Sequence, residues 1–125
     1  MEKIIYSIIG LAVLGGVVLL FMAPSKPGEL DSFAQCIADR GAIFWGAFWC
    51  PHCNDQKALF GRSAKLLPYK ECSTPDGRGQ TAECTEAGIT GYPAWDIPGQ
   101  ERISGLIELS RLSELTSCPL PEATQ

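Results

Sequence analysis

One stretch of this sequence decides its fold: Phe48-Trp49-Cys50-Pro51-His52-Cys53. The uncharged run 42–49 that leads into the two cysteines is rich in aromatic residues and predicts a buried central strand. Residues 54–67, which follow them, show the apolar spacing of a helix. Two cysteines three positions apart at the start of a helix lie on one face and can close a disulfide. The stretch therefore predicts a redox-active pair at the junction of a strand and a helix.

The chemistry of this pair depends on the helix start. Free backbone N–H groups and the helix dipole stabilise a thiolate at Cys50, and a thiolate is the nucleophile of disulfide exchange. We therefore expect Cys50 to be the exposed, attacking sulfur and Cys53 to resolve the mixed disulfide. His52, the one histidine of the chain, would stabilise the thiolate further if it is protonated or donates a hydrogen bond. Pro51 suits the first helical turn, and Trp49 is expected to shield the disulfide and to form part of an apolar substrate face. No cofactor beyond the redox-active disulfide is expected.

Two other interpretations of the pair stand beside this one. Cys50 and Cys53 would be half of a zinc site if two more ligands followed at metal spacing, but Cys72 and Cys84 are single cysteines. A purely structural disulfide is the other alternative. The strand-then-helix setting favours the redox interpretation over both.

Outside the motif, the pattern predicts one small domain over residues 30–118 and a tail over 119–125. The remaining predicted elements are helices over 30–40, 81–87 and 107–117 and strands over 68–72, 94–97 and 102–106. Residues 73–80 are rich in Gly, Pro and Asp and predict a loop. The alternation of helices and strands is typical of an α/β fold around a small mixed sheet.

The N-terminal segment differs from the rest in composition. The run from Ile4 to Met22 has no charge and no proline, which predicts a transmembrane anchor over residues 1–22, joined by a short linker over 23–29. Lys3 before the run favours a cytoplasmic N-terminus. The prediction is thus a single-pass membrane protein with its catalytic domain in an oxidising compartment, such as a periplasm, the cell exterior or a thylakoid lumen. A cleaved signal peptide and a buried core helix are the alternatives.

Cysteine content and charge narrow the function classes. All six cysteines follow the apolar run, and in an exported domain that density indicates disulfides, whereas in a cytosolic one it would indicate a metal. The formal net charge is −4 and no basic cluster occurs, so the sequence gives no indication of nucleic-acid binding.

The motif, taken with Gly91-Tyr92-Pro93 further along the chain, resembles the thioredoxin-like superfamily. The resemblance implies a thioredoxin-like fold in which Pro93 is a cis-proline that faces the catalytic disulfide. It also implies that Tyr92 and Pro93 contact the bound substrate; Trp49 and Pro51, on either side of Cys50, are expected to belong to the same substrate-binding surface. One departure is clear, because Phe44 stands where thioredoxins have a buried carboxylate, which leaves no evident general base for the second cysteine.

A closer similarity is to the thioredoxin-like domain that is fused to bacterial and plant homologues of vitamin K epoxide reductase. It covers residues 30–118, and the similar stretches are 33–36, 46–53, 66–69 and 86–93. This resemblance implies exported cysteine-containing proteins as clients and a quinone-linked membrane enzyme as the redox partner. It also implies that Cys72 pairs with Cys84 and Cys36 with Cys118, as structural disulfides. A relay of electrons through one of these pairs is the alternative role.

The direction of electron flow is not fixed by these patterns. A disulfide reductant fed by a membrane electron donor and a non-catalytic membrane adaptor are the two alternatives to an enzyme that exchanges its disulfide with protein thiols.

Overall fold

A computed structural model describes residues 1–22 and 26–122 of the protein, without the side chains of residues 19, 20 and 22. Its helices are α1 (Glu2–Met22), α2 (Asp31–Asp39), α3 (Pro51–Phe60), α4 (Ala82–Glu86) and α5 (Leu109–Thr116), with a 3-10 helix at Gly61–Leu66. Its strands are β1 (Ile43–Gly46), β2 (Tyr69–Glu71), β3 (Ala94–Asp96) and β4 (Ile103–Ser104).

The four strands form one mixed sheet in the order β2-β1-β3-β4. The central strand β1 runs parallel to β2 and antiparallel to β3, and β4 pairs antiparallel with β3. Phe44 in β1 lies opposite Tyr69 on one side and Trp95 on the other. This is the mixed α/β architecture that the order of elements predicts, with the apolar run before the cysteines at its centre.

The main hydrophobic core lies between the sheet and the helices. Phe44 is fully buried and stacks on Trp95 with the ring centroids 4.7 Å apart. The apolar face of α2 is buried through Phe33, Ala34 and Ile37, as its helical spacing predicts. Position 44 is therefore filled by an aromatic ring that packs, and it offers no ionisable group to the active site.

Two predicted elements end earlier in the structure. The first is the helix at the cysteines, which begins at Pro51 and ends at Phe60. It ends there because Gly61 adopts a positive φ of 52°, a conformation that favours glycine. The chain then continues as a 3-10 helix. The second is β1, which ends at Gly46, and the N–H of Cys50 then closes a turn onto the carbonyl of Ala47. This turn, rather than a longer strand, brings the chain to the start of α3.

The structure corrects the prediction of a transmembrane anchor over residues 1–22. Among the residues that it describes, no helix combines the length and the apolar character that a membrane crossing requires. The predicted single-pass topology and the placement of the catalytic domain that followed from it are corrected with it.

Parts of two predicted segments lie outside the described residues. These are residues 23–25 of the predicted linker 23–29 and residues 123–125 of the predicted tail 119–125.

Candidate active site

Cys50 and Cys53 are joined in a disulfide at the N-terminus of α3, with their Cα atoms 5.3 Å apart. Cys50 is the N-cap residue with extended backbone (φ −78°, ψ 117°), and its Sγ accepts a hydrogen bond of 3.2 Å from the N–H of Cys53. Pro51 occupies the first helical position, where its missing N–H costs nothing. One of the unpaired N–H groups of the helix end is thus directed at the sulfur of Cys50, where it stabilises negative charge.

The predicted exposure of Cys50 requires a correction. In the disulfide form Cys50 is only 4% exposed and Cys53 is fully buried. Both belong to the main hydrophobic core, and Tyr92 packs against that core beside them. The sulfurs are covered because the turn before α3 directs them inward, while Phe48 and Trp49 are each 51% exposed. The residual access is at Cys50, so Cys50 is the sulfur that an incoming thiol can reach.

Trp49 and Tyr92 lie together beside the disulfide. Their rings meet edge to face with centroids 5.9 Å apart. The Tyr92–Pro93 peptide bond is cis and Pro93 is buried. The structure therefore brings Trp49 next to Tyr92 and Pro93, the two residues for which the resemblance implies substrate contact.

A loop over residues 73–80 holds this aromatic pair in place. Ser73 Oγ accepts a hydrogen bond of 2.9 Å from Trp49 Nε1, and Gln80 Nε2 donates one of 2.7 Å to the hydroxyl of Tyr92. Ser73 and Gln80 also pair with each other through an isolated antiparallel β-bridge. At its tip, Gly77 approaches the rings so closely that a Cβ there would stand 3.7 Å from both Phe48 Cζ and Trp49 Cδ1. Sequence reasoning identified this segment only as a loop, because the contacts of Ser73 and Gln80 exist only in three dimensions.

The other four cysteines form two disulfides. Cys72 pairs with Cys84 and closes the loop just described, and Cys36 pairs with Cys118, tying α2 to the segment after α5. These are the pairings that the resemblance implies. The sulfur atoms of all six cysteines are thereby engaged in disulfide bonds.

His52 lies on the outer side of α3. Its side chain is 74% exposed, and Nδ1 stands 3.7 Å from a carboxylate oxygen of Asp55. This contact is an ion pair only when the imidazole is protonated.

A polar cluster that the sequence did not reveal lies on the other side of Cys53. The hydroxyl of Tyr69 donates a hydrogen bond of 2.8 Å to Glu71 Oε2, and Lys57 Nζ lies 3.5 Å from the centroid of the Tyr69 ring. The other oxygen of Glu71 accepts hydrogen bonds from the N–H groups of Phe48 (3.2 Å) and Ser73 (2.8 Å). Spacing along the chain gave no signal for this cluster, since Lys57 is on α3 while Tyr69 and Glu71 are on β2.

The ionisation of two groups in this cluster is shifted by their surroundings. Burial, reinforced by the hydrogen bond to Glu71, raises the pKa of Tyr69 well above its usual range, so the phenol keeps its proton at neutral pH. Partial burial lowers the pKa of Lys57, and the nearby Glu71 carboxylate opposes that shift.

Comparison with known proteins agrees with the chemistry of the site. No protein-family model matches the chain. It is 44% identical over 99 residues to Thiol-disulfide oxidoreductase LTO1 of Arabidopsis thaliana. The chain resembles a thiol–disulfide oxidoreductase. The match covers 75% of this chain but only 26% of the plant protein, so the chain spans about a quarter of the length of that relative. The similarity supports the predicted enzyme class, protein disulfide oxidoreductase.

Proposed function

We propose that this chain is an enzyme that exchanges its Cys50–Cys53 disulfide with the thiols of other proteins. The observation that carries the proposal is the placement of the disulfide at the N-cap of α3, where the N–H of Cys53 is directed at Cys50 Sγ. A structural disulfide has no use for this stabilisation of a thiolate, whereas a redox-active one depends on it. The half-exposed rings of Phe48 and Trp49 add an apolar surface where a polypeptide can rest while it reacts.

The exchange proceeds in two steps in the oxidising direction. A client thiolate attacks Cys50 Sγ, a new sulfur–sulfur bond forms, the bond to Cys53 breaks, and its electron pair stays on Cys53 as a thiolate. A second client thiolate then attacks the client sulfur of the mixed disulfide, and Cys50 leaves as a thiolate. The client dithiol is oxidised to a disulfide and the enzyme pair is reduced to a dithiol. Cys50 is the sulfur attacked because Cys53 is fully buried.

The proposal gives supporting roles to the other predicted site residues. In this proposal Trp49 and Tyr92 line the face on which the client polypeptide would lie, the buried Pro93 supports Tyr92 from within, and Pro51 forms the edge of the face at the start of α3. His52, exposed next to Cys50, would stabilise the thiolate of the reduced form when it is protonated. These roles extend the proposal to the whole surface around the disulfide.

The proposed clients are cysteine-containing proteins, exported ones by the resemblance to the thioredoxin-like domain of vitamin K epoxide reductase homologues. The same resemblance supports a quinone-linked membrane enzyme of that type as the partner that reoxidises the pair. Co-purification of a mixed disulfide between that enzyme and this chain is the direct test of the partnership.

Trapping of the mixed disulfide tests the exchange itself. In a Cys53→Ala variant the Cys50 thiolate can still attack a client disulfide, which is the reverse of the second step, and a client thiolate leaves. Because no neighbouring thiol then displaces the client from Cys50, client proteins should stay attached through a bond that dithiothreitol cleaves. A Cys50→Ala variant is the matched control, and it should trap far less because Cys53 is buried. The proposal is overturned if the Cys53→Ala variant is folded by circular dichroism and yields no thiol-sensitive adducts, or if both variants yield the same amount.

The reduction potential tests the direction of exchange. Stabilisation of the reduced form makes a disulfide more oxidising, and the known range runs from about −270 mV for thioredoxin to about −120 mV for a strong oxidant. We expect the Cys50–Cys53 couple to lie nearer the oxidising end when equilibrated with glutathione. A value at or below the thioredoxin end would instead assign the chain to disulfide reduction.

A further inference from the structure

Opening of the disulfide creates an electrostatic problem at Cys53. When a thiol attacks Cys50, the negative charge appears on a sulfur with no solvent access. Cys53 is part of the main hydrophobic core, a cluster that also includes Phe44 and Trp95. An anion in such surroundings is strongly disfavoured unless a positive charge or a hydrogen-bond donor reaches it.

The absence of a side chain at Gly46 brings such a donor close. A Cβ at this position would stand 3.2 Å from Cys53 Sγ, 2.7 Å from Tyr69 Cε2 and 3.4 Å from the Tyr69 hydroxyl oxygen. The sulfur and the phenol therefore approach the same point above the backbone of β1, one from α3 and the other from β2. Any other residue at position 46 would fill the space that now lies between them.

A positive charge is available from the same direction. Lys57 follows Cys53 by one turn of α3, so their side chains lie on one face of the helix. Its ammonium group lies over the ring of Tyr69, 3.5 Å from the centroid. Glu71 completes the cluster by accepting the hydroxyl hydrogen of Tyr69.

We propose that Lys57, Tyr69 and Glu71 together set the ionisation of Cys53, as positioning residues for the disulfide exchange. Lys57 and Tyr69 favour the thiolate, Lys57 by its charge and Tyr69 by turning its hydroxyl hydrogen toward the sulfur. Glu71 opposes the thiolate in two ways, because it is negatively charged and because it holds that hydrogen in the resting disulfide form. The balance decides how readily Cys53 leaves, since a thiol of lower pKa is the better leaving group. This inference rests on the exchange reaction proposed above.

Three other titratable groups lie near Cys50 and Cys53 but are not proposed to set the ionisation of Cys53. His52 and Asp55 are on the exposed side of α3. Tyr92 approaches from the loop before β3, but its hydroxyl oxygen accepts a hydrogen bond from Gln80. Tyr69 of β2 approaches Cys53 Sγ across Gly46, and Lys57 and Glu71 both contact Tyr69.

A titration of Cys53 alone tests the proposal. In a Cys50→Ala background Cys53 is a free thiol, and the carbon-13 chemical shift of its Cβ, followed by NMR against pH, gives its titration midpoint. Tyr69→Phe and Lys57→Met should each raise that midpoint by about one unit, a tenfold change in the thiolate equilibrium. Glu71→Gln should lower it, because the substitution removes the negative charge and keeps the carboxamide oxygen for the two backbone N–H groups.

The opposite signs separate this role from a structural one. Loss of packing would move all three variants in one direction or none, whereas the proposal requires two increases and one decrease. Lys70→Met is the matched control, since Lys70 lies on the same strand as Tyr69 but is exposed and pairs with Glu83. This variant should leave the titration midpoint of Cys53 unchanged. The proposal is refuted if Tyr69→Phe and Lys57→Met leave the midpoint unchanged, or if Glu71→Gln raises it.

The outcome is independent of client binding. If the midpoints shift as expected while the trapping experiment fails, the cluster controls Cys53 and the proposed exchange with proteins is wrong. If trapping succeeds while the midpoints do not move, the exchange stands and the role of the cluster is refuted.

Discussion

The disulfide between Cys36 and Cys118 should contribute more to stability than any other cross-link in the chain. It joins residues 82 positions apart and so closes almost the whole domain into one loop. In the loop-entropy model a cross-link of this span lowers the entropy of the unfolded chain by an amount worth about 4.5 kcal/mol at 25 °C. The Cys72–Cys84 disulfide, which spans 12 positions, gives about 3 kcal/mol in the same model.

The best single perturbation is Cys36→Ala. Cys36 is only partly buried, while Cys118 is almost fully buried and keeps its sulfur in the variant, so the cross-link is lost with little loss of packing. The free energy of unfolding should fall by about 4 kcal/mol in urea titrations of the oxidised protein. The denaturant slope should rise as well, because the unfolded chain becomes more extended and exposes more surface. A loss below about 2 kcal/mol, or a loss without a steeper slope, would contradict the entropic account.

Three further predictions test the packing and electrostatics around the site. Gly46→Ala should lower the free energy of unfolding, measured in urea, by about 1–3 kcal/mol, because the new Cβ would stand under 3 Å from the ring of Tyr69. Gly91→Ala is the control and should lower it far less, since a Cβ at position 91 would meet nothing within 4 Å. Gln56→Ala should cost about 2–4 kcal/mol, since this buried amide donates to the carbonyl of Ile107 and accepts from its N–H; an intact thermal midpoint would refute that role. The hydrogen bond from Arg102 holds the pKa of Asp96 below its usual range. The Asp96 carboxylate therefore stabilises the fold above pH ~4, and this stabilisation is lost as the pH falls further. When the free energy of unfolding is measured from pH 7 to pH 2, the value for the wild type should therefore converge on that for Asp96→Asn at the acidic end. A difference between the two proteins that grows toward pH 2 would be inconsistent with a lowered pKa of Asp96.

The local pattern around the cysteines predicted the local structure there correctly, a central strand followed by a helix start. Pro51 and Cys50 specify a helix start by the chemistry of the proline ring and the cap, and the structure places them at N1 and at the N-cap. The part of the apolar run that forms β1 is largely buried in the middle of the sheet, and its composition had indicated a central strand. Such features depend on neighbours in the chain, and a single sequence contains them.

At the N-terminal segment, composition led to a wrong prediction. The uncharged run predicted a membrane crossing, and among the described residues no helix meets that requirement. The predicted exposure of Cys50 failed for a different reason. The helix start fixes which backbone groups reach the sulfur, but the direction of the side chain depends on what packs over it, and here the disulfide is turned into the core.

The sequence by itself determined the reactive pair, the order of helices and strands, and the residues that cap α3, because these follow from local backbone preferences and from residue spacing. Only the tertiary structure decided which groups surround the buried sulfur of Cys53. Tyr69 approaches it across the gap left by Gly46, and Lys57 of α3 lies over the Tyr69 ring. Ser73 and Gln80 bind the rings of Trp49 and Tyr92 from a loop. Contacts of this kind depend on how strands are ordered in the sheet, and no spacing along the chain encodes that order directly.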